Sequence, residues 1–437
     1  MPFTDDELET TLRVLQEIAE DPSVMDAHER FKGLVAKIHR EGKRGQRQSQ
    51  RETAREQSWA AQAQTGLVRQ QQQINEPRLL GEGSAVLAKA QPCYICKQSY
   101  TQLHHFYHRL CPTCAAKSWE KRHQSVDLTG RFALVTGGRI KIGYQLALRL
   151  LRDGASVTVT TRFPRDAAER FAQEPDVALW RERLTLEGLD LRNLPGVEAF
   201  ADALNARLPH LDILVNNAAQ TVKRPRAFYQ ELIAKESAPW LLEAQSGYTG
   251  NLPGVERYFP AGERDYDGQP LDKRPTNSWA LSLHEVSTLE LLEVQLVNAT
   301  APFVLTGRLK PALLRSPHAR RFVVQASAME GQFNRASKTE RHPHTNMAKA
   351  ALNMLVRTSA QEWAREGIYM NAVDTGWITD ENPYPKATHL RDDKNFYTPL
   401  DSVDGMARLY DPIAQGLTSP DEPRFGHFLK DFEPYAW

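Results

Sequence analysis

Residues Val135 to Leu151 read VTGGRIKIGYQLALRLL. The β-branched run FALVT, from Phe132, meets two glycines and then apolar positions that recur at helical spacing, so strand, tight turn and helix are predicted in immediate succession. That context gives the glycines a mechanism. Gly137 and Gly138 permit the turn, Gly143 lets the helix approach the sheet, and the first N–H groups of the helix are left to hold a diphosphate.

Toward the C-terminus the same alternation repeats. The runs SVTVT, LTLEGLD, LDILVNN, RFVVQAS and IYMNAVD are separated by helical patterns, which implies a parallel sheet covered on both faces. The fold class expected is therefore α/β, a doubly wound, Rossmann-like sheet from about residue 127 to residue 437. A lobe is expected to be inserted at about 225–285, where aromatics and glycines in KRPRAFYQEL, SAPWLLEAQSGYTGNLPG and RYFPAGERDYDGQP indicate folded structure over the substrate side. No internal repeat is evident.

Toward the N-terminus, residues 89–126 carry CYIC and CPTC, two C-x2-C pairs with 14 residues between Cys96 and Cys111. Each pair presents two thiolates from a tight turn, so Cys93, Cys96, Cys111 and Cys114 are expected to close a tetrahedral zinc site with no open position. A redox C-x2-C is the alternative. His104, His105 and His108 lie between the pairs, where packing or surface roles are expected because four thiolates already satisfy an ion. Residues 43–88 are polar and basic, read as a linker or a long exposed helix; contact with nucleic acid through this stretch or the cysteine segment stays open. Residues 1–42, with LETTLRVLQEIAE and HERFKGLVAKIH on either side of Pro22, predict a helical hairpin.

The chain has 437 residues, 41% hydrophobic and 25% charged, with a net charge of +1. Such a balance excludes a whole-protein field for nucleic acid. No apolar run is long enough for a membrane span, and confinement of every thiol to one segment predicts a reducing, cytoplasmic setting rather than a disulfide framework.

Several residues carry a family resemblance. Thr136, Gly137 and Gly143 match TGxxxGxG, with Lys141 at the middle glycine; Asp190 stands in LDLRN, Asn216 to Ala219 form NNAA, Asn298 stands in VNATAPF, and Lys349 in MAKAAL. In order and spacing the chain resembles the short-chain dehydrogenase/reductase family over residues 127 to 380, and the basic Lys141 is similar to the pteridine-reductase branch. The resemblance implies a dinucleotide held by Thr136, Gly137, Gly138, Arg139, Lys141, Ile142 and Gly143, by Arg162, Asp190, Leu191, Asn216 and Ala218, and by Lys349 and Gly376. Charge refines this expectation. After the second strand TTRFPR offers Arg162 and no carboxylate before Asp166, which favours NADP(H) over NAD.

The resemblance also implies an active site of Asn298, Ser327 and Lys349, but Thr345 stands where the family has its tyrosine. An aliphatic hydroxyl is a far weaker acid than a phenol. Three outcomes follow: another acid such as His342, His344 or Tyr384 is recruited; the substrate, a carbonyl, imine or conjugated double bond, needs no strong acid; or the domain is a catalytically silent NADP(H) sensor or scaffold with protein or nucleic-acid partners. Thr375, Trp377 and Asp380 are expected on the other wall, and a homo-oligomer through the helices beside Asn298 and Lys349.

Overall fold

The structure, a computed structural model, describes residues 3–73, 85–236, 254–265, 267–335 and 338–437. Ten strands form among them: β1 (Val86–Pro92), β2 (Ser99–Gln102), β3 (Phe132–Thr136), β4 (Ser156–Thr161), β5 (Leu184–Gly188), β6 (Ile213–Asn216), β7 (Arg321–Ser327), β8 (Ile368–Asp374), β9 (Phe428–Lys430) and β10 (Glu433–Tyr435). The last eight make one sheet of order β10-β9-β8-β7-β6-β3-β4-β5. Every pairing in it is parallel except β9 with β10. The chain winds outward from β3 through β4 to β5, then returns to β6 on the other side of β3. This is the topological switch point, where a crevice opens beyond the strand ends.

Both faces are buried, so the strands read as continuous apolar runs. In β3, Ala133 and Val135 join one core cluster with the helices Lys141–Arg152 and Ser402–Thr418, while Leu134 joins the other beneath Leu194–Arg207 and Pro343–Arg365. Period-two alternation within one strand thus serves two helix layers.

The four-cysteine segment is a β1–β2 hairpin followed by the helix Pro112–Arg122. It packs on residues 378–404: Ile378 and Leu400 share its apolar cluster with Tyr100, Leu103 and Leu110. Arg122 grips Asp401 through both terminal nitrogens at 2.6 and 2.7 Å, and Tyr107 donates to Asp404 at 2.5 Å.

Ahead of the hairpin, the helix Asp5–Glu20 begins with a Thr4/Glu7 capping box. The next α-helix, Glu29–Gln62, runs without a break across the residue 42/43 division, so as far as Gln62 the polar stretch takes the exposed-helix form of its two readings. The polar stretch is rich in Arg, Gln and Glu, all good helix formers, so low apolar content there does not interrupt the backbone. Neither helix has a buried residue, and the helix end at Trp59 stacks on Tyr397 at 5.6 Å. Residues 74–84 of the expected linker, and 237–253 of the expected lobe, lie outside the described residues.

Candidate active site and metal centre

The cleft at the switch point has a volume of about 900 Å³. Its floor is the turn after β3. Gly137 is left-handed, with φ +69, and a Cβ there would lie 2.8 Å from the Ala218 Cα. One on Gly143 would lie 2.4 Å from both Gly137 O and Asn217 Nδ2, so only glycine allows the helix this close to β6. Lys141, at the family's middle glycine, also takes a left-handed φ of +53. The following helix has no side-chain cap at its N-cap Ile140, leaving donors of its first turn available to an anion. These features fit a dinucleotide diphosphate.

The expected residues divide into two groups. Gly137, Arg139, Lys141, Ile142, Gly143, Arg162, Asp190, Leu191, Ala218, Ser327, Thr345, Lys349 and Gly376 line the cleft. Thr136, Gly138, Asn216 and Asn298 are not among its lining residues and instead hold it in shape. Thr136 Oγ1 accepts the N–H groups of Asn217 and Ala218, each at 3.0 Å. Gly138 packs against Val159, and Asn216 donates to Thr306 at 3.1 Å. Asn298, in a short π-helical turn, both accepts from and donates to the Gln220 backbone, at 2.6 and 3.0 Å.

The cations are less available than their positions in the sequence suggest. Arg139 donates to Asp166 at 2.6 Å and to Gln269 at 2.8 Å, and Lys141 lies 3.4 Å from Asp267. Asp190 is held by the Arg192 guanidinium at 2.9 and 2.5 Å. Arg162 lies over the rings of Tyr229 and Phe163, at 4.4 and 5.3 Å.

On the opposite wall Ser327 donates to Asn353 at 2.6 Å and Lys349 to the Ala326 carbonyl at 2.7 Å. Burial pushes the Lys349 ammonium down to about 8, against the pull of Glu330. Thr345 stands one helical turn ahead of Lys349; its Oγ1 is buried and makes no hydrogen bond. Neither His342 nor His344 lines the cleft, and neither does Tyr384. His342 stacks on Trp279 at 3.8 Å, and His344 is buried with its Nε2 3.6 Å from Glu290. Asp374 does line the cleft, on the strand beside Ser327, and burial pushes its carboxyl up to about 6.

Thr375, Trp377 and Asp380 also line the cleft. Two further lining residues, for which no site role was expected, come from the cysteine segment: Tyr94 in its first turn and Lys97 just after it. The Tyr94 hydroxyl accepts the Trp377 N–H at 3.0 Å. Nothing in CYICK marks the tyrosine, because the contact spans 283 residues of sequence.

The ligand atoms of Cys93, Cys96, Cys111 and Cys114 lie within 4.8 Å of one another. Cys96 and Cys111 sulfurs are 3.7 Å apart, and a tetrahedron with bonds of about 2.3 Å has edges of about 3.8 Å. The Cys111 N–H donates to the Cys93 sulfur at 3.3 Å. These thiols fit a zinc ion. His108 is buried and neutral, pushed down to about 3, and His104 and His105 pack on Trp119.

Two family models match, "short chain dehydrogenase" over residues 131–236 and "Enoyl-(Acyl carrier protein) reductase" over 276–408. An uncharacterized protein of Acanthamoeba polyphaga mimivirus is 34% identical over 347 residues, covering 74% of this chain and 71% of that protein. A Streptomyces antibioticus protein described as "Probable oxidoreductase" is 29% identical over 260 residues, covering 58% of this chain and 66% of its own. Among solved structures, a short-chain dehydrogenase from Streptomyces avermitilis has a TM-score of 0.45 at 19% identity, covering 69% of this chain and 88% of its own. An NADPH-bound carbonyl reductase from chicken fatty liver has a TM-score of 0.46 at 20% identity, with coverages of 71% and 100%.

Proposed function

This chain belongs to the short-chain dehydrogenase/reductase family, and on that premise we propose that it binds NADP(H) and exchanges hydride with a small carbonyl, imine or conjugated substrate. One observation carries the reading: a buried Thr345 hydroxyl without a hydrogen-bond partner faces the cleft one helical turn ahead of Lys349. A bound NADP(H) supplies or accepts the hydride. The protein positions the rest. Thr345 donates to the substrate oxygen or nitrogen, Ser327 steadies that atom, and Lys349, an ammonium below about pH 8, holds the nicotinamide ribose and is the source of the proton that passes through the threonine hydroxyl. Positions 345 and 349 are an i, i+4 pair on one helix face.

Arg162 supports the phosphorylated coenzyme, because its guanidinium lines the cleft just past β4, over the Tyr229 and Phe163 rings, and a planar, always-charged fork suits a 2′-phosphate. Cys93, Cys96, Cys111 and Cys114 hold a structural zinc whose hairpin places Tyr94 in the wall. Free thiols of this kind fit a reducing cytoplasm, and no described helix is long and apolar enough to cross a membrane.

The test mixes the protein with NADPH, follows its fluorescence for binding, and then screens carbonyl, imine and conjugated substrates for loss of the reduced nicotinamide band. Binding with turnover in one class is expected. Binding without turnover in all three assigns the alternative instead, a silent NADP(H) sensor or scaffold.

A further inference from the structure

At the other end of the sheet from the cleft, two imidazoles flank one buried carboxylate. Asp212 immediately precedes β6 and is fully buried, His210 stands two residues earlier, and His318 lies in the turn before β7. His210 Nε2 is 3.2 Å from Asp212 Oδ2, and His318 Nε2 is 4.0 Å from Oδ1. All three ligand atoms fall within 4.8 Å of one another. The approach of His210 is not a hydrogen bond, for its Nε2 is buried and makes none. A buried ring nitrogen left so is costly. Two ligands of one ion at bond lengths of about 2.1 Å stand about 3.4 Å apart, so the His210–Asp212 spacing suits a shared cation. The partly exposed His318, 4.0 Å from Oδ1 and within 4.8 Å of the other ligand atoms, must move inward to complete the set.

The surrounding shell fixes these groups. Asp212 accepts the Phe132 N–H at 2.8 Å and the Ser316 hydroxyl at 2.5 Å, and Ser316 Oγ accepts the His318 N–H at 3.1 Å. The His210 ring meets Phe132 edge-on at 4.9 Å, and Arg321 donates to the His318 carbonyl at 2.7 Å. Orientation of this kind is what outer-shell partners provide at metal sites. One neighbour opposes it: the Arg131 guanidinium, 3.6 Å from Asp212 Oδ1, competes for the carboxylate and caps the affinity. Two imidazoles and one carboxylate select a borderline first-row cation over calcium or magnesium.

We infer that His210, Asp212 and His318 form a second divalent-metal site, taking zinc or a zinc-like cation with water in the open position. It staples the turn ahead of β7 to the start of β6, stands apart from the hydride chemistry, and shares no residue with the cysteine centre.

The experiment strips the full-length chain of metal, restores Co²⁺ and counts bound ions by mass spectrometry while recording the visible spectrum. Wild type is expected to bind two equivalents, of which only one brings an intense thiolate charge-transfer band. His318→Ala, on a partly exposed turn, should bind one and keep that band; His210→Gln should behave alike. Wild type saturating at the thiolate equivalent alone overturns the proposal, as does retention of the second equivalent by both variants. A rise in Tm on adding Zn²⁺ to chain already loaded at its cysteines, present in wild type and lost in His318→Ala, is the independent readout.

Discussion

Lys349 is a buried ammonium with the Glu330 carboxylate pulling in its favour, but burial prevails, holding it near 8 instead of the ordinary 10.5. Between those values the folded chain carries fewer protons than the unfolded one, so this group adds stability as pH rises from about 8 toward 10.5. Activity should move the other way. Reduction that draws its proton from the ammonium falls as pH passes about 8, while Tm at this group does not fall, so a pH–rate profile beside a thermal scan separates titration from unfolding. A flat rate across that window would remove Lys349 from the proton path. Thr345→Tyr restores a phenol one turn away, and ordinary carbonyl reduction should rise by about 10²-fold or more; unchanged rates with NADPH binding intact would count against this geometry. Arg162→Ala should weaken NADPH by about tenfold with little effect on NADH, read by fluorescence titration. Gly137 and Gly143 are legible in the sequence because one strand–turn–helix junction a few residues long holds both, whereas Ser327, at the end of β7, and Lys349, in a 23-residue helix, are legible only through the family resemblance. The pairing of Arg139 with Asp166 is not, since no local pattern reports which carboxylate a distant helix brings up.

At the scale of elements, the strands announce themselves through apolar runs, and the two cysteine pairs through their spacing. What the pairs do to the cleft is hidden, because Tyr94 meets Trp377 only after the hairpin docks on residues 378–404 through Ile378 and Leu400. The docking makes a prediction. Cys111→Ser should lose the thiolate-bound ion and free the first cysteine turn, shifting Trp377 emission and exposing the hairpin to limited proteolysis, while the parallel sheet keeps its melting transition. Loss of the whole transition would show that the hairpin is part of the sheet's own folding unit. The residue-42 boundary has a different cause: composition separates polar from apolar but cannot distinguish a solvated coil from a solvated helix, and KRGQRQSQRETAREQ suits both. The first helix shows the converse. Leu8, Leu12 and Leu15 repeat at helical spacing yet stay 39, 55 and 41% exposed, so amphipathic periodicity located the helix without naming anything to cover it.

The whole molecule leaves apolar surface on the helices around Asn298 and Lys349. Leu289 and Leu292 precede Asn298, Phe303 follows it, and Met347 and Met354 stand seven residues apart on the Lys349 helix; all five are at least 50% exposed. Full burial of such side chains contributes about 1.5–3 kcal/mol each, enough in sum to offset much of the cost of association. A second copy, related by a twofold axis, would present the same five residues and could cover them. None lines the cleft, so assembly and coenzyme binding are separable. Light scattering on the eluting protein should give a dimer or a larger even assembly. Leu292→Glu with Met354→Lys should give a monomer of lower Tm that still quenches on NADPH; a monomeric wild type at tens of micromolar would leave this surface without its proposed occupant.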